Sequence, residues 1–269
     1  GAVGCEFADV FNAFGTQATL IEALPAILPV EDADSSAELA KAFKKRKIDV
    51  LTGAKISNVN IGKSSVKFSV ESAGKKQELE VEKVLVAAGR APNVEEVGLK
   101  EAGVQLTDRG FIKINEKMET SVKGIYAIGD VAGPPMLAHK GSREGVVLAE
   151  LLAGQKHVHL VNYNNIPGAT YCHPEVASIG FTEQQCQDKK LDYKVGKFPF
   201  SANGRARTSG ETDGFVKIIR DSKYGEILGA HIVGAHATEL LHELAVAREN
   251  EYTVEEVDLA IHAHPTLSE

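Results

Sequence analysis

The sequence lacks any long apolar run. No stretch approaches the roughly 18 apolar residues that a membrane-spanning helix needs. No N-terminal signal is visible, but the chain begins at Gly1 inside a motif, so a targeting segment could precede it. Cysteine is scarce. Cys5, Cys172 and Cys186 are the whole set, and no two of them are close in sequence. That excludes a disulfide framework and fits a reducing compartment, with the three read as small buried or surface thiols. Basic runs are missing too, and the formal charge is −7, which argues against a nucleic-acid partner. Neither internal repeats nor low-complexity tracts occur.

What is present is ordinary globular material. The 269 residues are 43% hydrophobic and 25% charged, enough for about two domains with buried cores. Gly1 to Phe14 reads as a helix with Val3, Phe7, Val10, Phe11 and Phe14 on one face, closed by Gly15. Gln17–Glu22 reads as a strand. Ser35–Lys47 reads as an amphipathic helix with Leu39, Ala40 and Phe43 inward and Ser35 or Ser36 as its cap, and Ile48–Leu51 as a strand. Residues 56–86 change to period two, predicting an antiparallel hairpin that turns at Ser72–Lys76, and Val84–Ala88 reads as a buried strand ending at Gly89.

A second block, 120–165, holds a strand at Ile125–Ile128, a Gly/Pro-rich loop and a helix over Ser142–Leu152. In a third, 166–269, short strands near Ala177–Phe181, Tyr193–Pro199, Phe215–Arg220 and Ile227–Val233 suggest an antiparallel sheet, with helices near Thr182–Lys189 and His236–Glu249. The fold class is therefore α/β followed by α+β.

The opening Gly1-Ala2-Val3-Gly4 matches the second half of G-x-G-x-x-G, so the first glycine is expected upstream of the chain. A helix follows, then a strand ending in Glu22. An acidic residue about 20 positions beyond the glycines is where a ribose 2′-hydroxyl acceptor belongs. The glycines admit backbone close to a pyrophosphate, and the helix start supplies donors. Glu22 would repel a 2′-phosphate and has no arginine beside it, which favours NAD over NADP. A solvated charge after a strand is the plainer alternative.

Near the C-terminus, His264 precedes Pro265, which disfavours helix there. Glu269 lies five positions on, within reach through a turn. Imidazole titrates near neutrality, and a carboxylate on one ring nitrogen fixes the tautomer, freeing the other to take a proton. Spacing alone favours a buried or capping histidine. His157, His159, His231, His236 and His242 read as structural or solvated, and His262 is left outside the site.

Four stretches then act together: Val86–Asn93 (VAAGRAPN), Gly124–Asp130 (GIYAIGD), Met136–Lys140 (MLAHK) and His262–Glu269 (HAHPTLSE). In this order and spacing the chain resembles the pyridine nucleotide–disulfide oxidoreductases over its whole length. MLAHK and HAHPTLSE resemble the dihydrolipoamide dehydrogenase branch. The resemblance implies a Rossmann-like NAD-binding domain over 1–119 lacking its first strand, the closing part of an FAD-binding domain over 120–165, and an antiparallel-sheet dimerisation domain over 166–269. It implies Gly1, Gly4 and Glu6 lining the NAD site, with Glu6 near the nicotinamide ribose. Glu22 would hold the adenine ribose, Ile56 would flank the adenine, and Gly89 would let backbone approach the dinucleotide. Asp130 would accept from the ribityl chain of FAD, and Met136, Leu137, Ala138 and His139 would meet the flavin at a helix start. Taken without the motif, Asp130 could cap a turn and His139 could be a surface residue.

The same resemblance makes His264 the base and Glu269 its support, delivered from the opposite subunit of a homodimer. It implies oxidation of dihydrolipoamide on lipoyl domains of 2-oxoacid dehydrogenase or glycine cleavage complexes, with no metal site assigned. The location implied is cytoplasmic, or a mitochondrial or plastid matrix. The family's Cys-x4-Cys pair and first glycine fingerprint are not found here, so the expectation is a C-terminal fragment, inactive alone. A sister reductase for glutathione or mercury, and a non-catalytic NAD-binding dimerisation module, are the competing readings.

Overall fold

A computed structural model describes all residues, 1–269. The chain divides into two compact units. Residues 1–88 and 167–269 make one, and residues 89–166 the other.

In the first unit, α1 (Ala2–Ala13) runs from Gly1 and is followed by β1 (Thr19–Ile21), α2 (Ala33–Lys45) and β2 (Asp49–Leu51). β1 and β2 pair in parallel, Leu20 opposite Val50. The expected apolar face of α1 is not the buried one. Cys5 and Ala8 are inside, while Val3, Phe7, Val10 and Phe11 are each more than 40% exposed and Phe14 is 84% exposed. Small side chains let α1 lie close to Leu20, Ile27 and Leu28, and the bulky face points away from that core. α2 is capped by Asp32, whose side chain accepts from the Asp34 amide, and not by Ser35 or Ser36. Those serines are buried in the first turn, Ser36 accepting from the Leu28 amide. Leu39 and Phe43 are fully buried as expected.

Three antiparallel strands follow: β3 (Lys55–Ile61), β4 (Val66–Ser72) and β5 (Lys75–Val81). The period-two signal was right in kind but spans one strand more than a hairpin. β4 and β5 turn through Ala73 and Gly74, both at positive φ (50° and 73°), the conformation of a tight hairpin turn. Val84–Ala88 forms no strand, and Val86 is 82% exposed. A strand needs a hydrogen-bonded neighbour, and none of the chain's ladders includes these residues.

The rest of this unit is a five-stranded antiparallel sheet in the order β6-β7-β10-β9-β8: β6 (Gly168–Thr170), β7 (Glu175–Gly180), β8 (Tyr193–Pro199), β9 (Phe215–Asp221) and β10 (Ile227–Gly234). On one face Ala177, Ile179, Ala230 and Ile232 pack on Leu241, Leu244 and Ala247 of a long helix, Ala237–Glu249. The opposite face sends Val176, Phe215 and Val233 into one core with Leu39 and Phe43 of α2, Cys5 of α1 and Cys172. The sheet is thus covered on both sides, with alternate residues facing alternate layers.

In the second unit Ile125–Ile128 forms only an isolated bridge, Tyr126 with Glu119, rather than the expected strand. A 3₁₀ turn, Gly129–Ala132, leads towards α3 (Ala138–Leu152), which starts four residues before the expected Ser142. Later helices are α4 (Glu183–Asp188), α5 (Gly204–Ser209), α6 (Ala237–Glu249) and α7 (Val254–Leu259). α5 and α7 had no counterpart in the sequence reading; both are six-residue helices, too short for a clear helical period.

Candidate functional site

At the start of α1 the glycine turn meets the strand-end acid. The Gly1 nitrogen lies 2.9 Å from Glu22 Oε2, and the Leu24 amide donates to Glu22 Oε1 at 3.0 Å. Gly1 is the N-cap of α1. A helix N-terminus beside a carboxylate is a donor and acceptor set suited to a pyrophosphate and a ribose hydroxyl. Glu6 accepts from the Tyr171 amide at 2.9 Å, tying α1 to the end of β6. Ile56, in β3, is 48% exposed.

The second unit holds the other expected cluster. Gly89 stands at φ +110° with open space around it, so backbone conformation rather than close packing requires glycine there. Asp130 lies in the 3₁₀ turn, and Arg90 Nη2 reaches its Oδ2 at 3.0 Å. Met136 and Leu137 are half-buried just before α3, and Ala138 and His139 are exposed in its first turn. Lys140 is buried and donates to the carbonyls of Gly129 (2.8 Å) and Gly133 (3.0 Å). It also pairs with Glu144 at 3.2 Å. Glu144 accepts from the Gly129 amide at 2.7 Å and from the Tyr163 hydroxyl at 2.8 Å. Gly141 permits the approach of helix to loop, since a Cβ there would meet Gly129 Cα at 3.1 Å. Arg90, Lys140, Glu144 and Tyr163 were not singled out from sequence. Only Lys140 and Glu144 left a signal, their (i, i+4) spacing on a helix.

His264 and Glu269 do meet. Nδ1 lies 3.0 Å from both Oε1 and Oε2, and the Thr266 amide approaches Oε2 at 3.4 Å. The ring is 79% exposed, so Nε2 faces outward. The tail is anchored behind this pair: Asn203 Nδ2 donates to the Thr266 carbonyl at 3.1 Å, and Leu267 packs on the α6 core. A second pair lies two residues earlier, with His262 Nε2 2.6 Å from Glu243 Oε1. That bond raises the His262 imidazole above its ordinary value.

The three cysteines are free and buried. Cys5 and Cys172 share one core, and burial pushes the Cys5 thiol up to about 11 and Cys172 upward as well, so neither is poised as a thiolate. No helix is long and apolar enough to cross a membrane.

Family models decide the class. The model for pyridine nucleotide-disulphide oxidoreductases matches residues 1–145, and the model for the dimerisation domain of the same family matches 166–269. The chain belongs to the pyridine nucleotide–disulphide oxidoreductases. A dihydrolipoyl dehydrogenase of Mycobacterium tuberculosis is 47% identical across the whole chain, which covers 58% of that protein. One from Rhizobium etli is 46% identical, with 56% of its length covered. Among solved structures, the flavoprotein disulfide reductase RclA of Escherichia coli (26% identity, TM-score 0.89) and LpdA of M. tuberculosis (27%, TM-score 0.89) each match all of this chain; it covers 61% and 57% of theirs. The chain therefore spans somewhat under three fifths of the length of the curated relatives it matches. Mixed helix and antiparallel sheet in that match accord with this family's architecture.

Proposed function

We propose that the full-length protein is a dihydrolipoamide dehydrogenase, working as a homodimer with FAD and NAD. The observation that carries this is the tail dyad: His264 Nδ1 at 3.0 Å from Glu269 with the rest of the ring exposed. Glu269 fixes the tautomer and stabilises the imidazolium, so Nε2 accepts a proton from a substrate thiol. The resulting thiolate attacks a disulfide, and general-base help of this kind is worth roughly 10²–10⁴ in rate. An exposed base suits a substrate presented on another protein, which supports lipoyl domains of a 2-oxoacid dehydrogenase or glycine cleavage complex. The chain's own thiols do not make the redox disulfide. It is assigned to the part of the relatives' length that this chain does not span, in keeping with an isolated chain that does not turn over.

FAD, when bound, would supply the relay that carries the electron pair from the reduced dithiol to NAD⁺, as the dithiol returns to a disulfide. Asp130 would orient it through the ribityl chain, and Met136 to His139 would approach it at the α3 start. Gly1 and Gly4 would admit the NAD pyrophosphate, with Glu6 near the nicotinamide ribose and Glu22 on the adenine ribose. Ile56 would flank the adenine and Gly89 would leave room for the dinucleotide. Glu22, with no basic residue beside it, favours NAD over NADP. Exposed Tyr171, Phe198 and Ile261 on the dimerisation region support a subunit seam, with His264 serving the partner subunit's site. Free thiols accord with a cytoplasm or an organelle matrix.

The test uses the full-length enzyme. His264→Gln is expected to lower dihydrolipoamide-driven NAD⁺ reduction by about 10²-fold or more, while NADH oxidation by an artificial one-electron acceptor, which needs no thiol deprotonation, persists. Full dihydrolipoamide activity in that variant would overturn the reading.

A further inference from the structure

The second unit contains one buried ion pair, and its geometry is unusually complete. Side chains of Lys140 and Glu144 are each 1% exposed. All three ammonium donors of Lys140 have acceptors: the Gly129 carbonyl, the Gly133 carbonyl and Glu144. Glu144 in turn receives the Gly129 amide on one oxygen and the Tyr163 hydroxyl on the other. Taking two such ions out of water is costly, and a well-packed apolar pair would commonly serve the fold as well. Stability alone is therefore a poor reason for the charges. Their particular effect is on the turn they grip. Both polar groups of Gly129 and the carbonyl of Gly133 are held, and Gly129 and Gly133 sit at positive φ (76° and 116°) on either side of Asp130. Together these bonds hold the turn at both of its glycines.

We propose that Lys140, Glu144 and Tyr163 are positioning residues for the flavin site: a buried latch that fixes the Gly129–Gly133 turn so that the Asp130 carboxylate is presented to the flavin's hydroxylated side chain. This rests on the reading of Asp130 as a flavin contact made above. The latch pre-organises the loop, so ordering it is not charged against cofactor binding. Arg90, 3.0 Å from Asp130 Oδ2 on the solvent side, screens that carboxylate without gripping the turn.

The experiment compares Glu144→Gln and Tyr163→Phe with wild type in the full-length protein. Flavin is stripped, FAD is titrated back by its fluorescence, and apoprotein melting is followed separately by circular dichroism. Glu144→Gln is expected to raise the FAD Kd about tenfold or more, and Tyr163→Phe about threefold, as for loss of one hydrogen bond of the set. A purely structural pair would lower the melting temperature and leave the FAD Kd of the folded protein unchanged; that result in both variants would overturn the latch. Should Glu144→Gln not fold, Tyr163→Phe, which removes one half-exposed hydroxyl, decides alone. Wild-type protein that takes up no FAD would remove the functional reading and this inference with it. Unchanged FAD affinity in variants of a flavin-binding wild type would remove this inference only.

Discussion

Lys217 Nζ lies 2.8 Å from Asp32 Oδ1, across 185 residues of sequence, with the two side chains 3% and 1% exposed. Lys217 stands on β9 and Asp32 is the cap of α2, so this pair fastens the first helix–strand segment onto the five-stranded sheet. Asp34 (3.1 Å) and Glu183 (2.7 Å) complete its shell, and Asp32 also accepts from the Glu183 amide. Removing one partner of a buried pair strands the other charge, at roughly 3–5 kcal/mol. Lys217→Met is expected to cost about 3 kcal/mol or more in urea unfolding, whereas Glu183→Gln, at the half-exposed edge, costs under about 1 kcal/mol. Equal unfolding midpoints for Lys217→Met and wild type would refute the fastening role.

Directly opposite Lys217 in the β9–β10 ladder stands His231, and its burial sets a pH dependence. Nε2 is 3.0 Å from the Phe181 carbonyl, so that nitrogen carries the hydrogen, while Nδ1 is buried with no partner. Burial lowers the His231 pKa; the Phe181 carbonyl and the Asp32 and Asp34 charges oppose this, and Lys217 reinforces it. The unfolded chain thus binds a proton near 6.5 that the folded chain still refuses. Stability is complete above that value and falls as pH drops below it, by at most about 1.4 kcal/mol per unit. Glu31, raised by burial, has the opposite slope above its ordinary 4.5, since the folded form keeps its proton longer. Comparison with His231→Phe isolates the histidine. Its stability curve should be flatter between about pH 6.5 and 5; parallel curves would exclude the effect.

How much of this could be read in the chain depended on the range of the interaction. The His264–Glu269 contact was legible through the resemblance carried by His262–Glu269, since spacing alone favoured a buried or capping histidine. Four of the five strands of the large sheet were legible, and β6 (Gly168–Thr170), only three residues long, was not. The Lys217–Asp32 fastening was not, because no local pattern links β9 to the cap of α2. For α1 the helical period was plain, yet the buried face was misjudged. Periodicity ranks residues by bulk, whereas this helix buries Cys5 and Ala8 because its neighbours lie too close for phenylalanine. Val84–Ala88 failed for a related reason: β-propensity describes a residue's fit to a ladder, and no ladder forms there.

The second histidine pair gives a spectroscopic prediction. Glu243, on α6, holds His262 Nε2 at 2.6 Å and raises the imidazole pKa. A raised value means the proton is held more tightly in the folded chain, so this contribution is present below the ordinary 6.5 and is lost as pH rises through the folded value. In an NMR titration, Glu243→Gln should move the His262 transition to lower pH. A His262 transition that stays where it is in wild type would refute the hold of Glu243 on this ring.

Gly4 separates the demands of the fold from those of a ligand. It lies inside α1, and a Cβ there would meet only Leu20 Cδ1 at 3.4 Å and Ala87 Cβ at 3.8 Å, which are ordinary contacts. Alanine in a helix interior is favoured over glycine by roughly 0.5–1 kcal/mol. If packing were the only consideration, Gly4→Ala would be neutral or stabilising. Gly214 is the contrasting case: it sits at φ +101°, and a Cβ would fall 1.8 Å from the Val233 carbonyl oxygen, so Gly214→Ala must displace backbone and destabilise strongly. The expected pair of results is an unchanged or higher unfolding midpoint for Gly4→Ala together with weaker NAD⁺ binding by calorimetry, and a collapsed midpoint for Gly214→Ala. A Gly4→Ala protein that is destabilised yet binds NAD⁺ as wild type does would assign this glycine to packing and leave the start of α1 without its claim on a pyrophosphate.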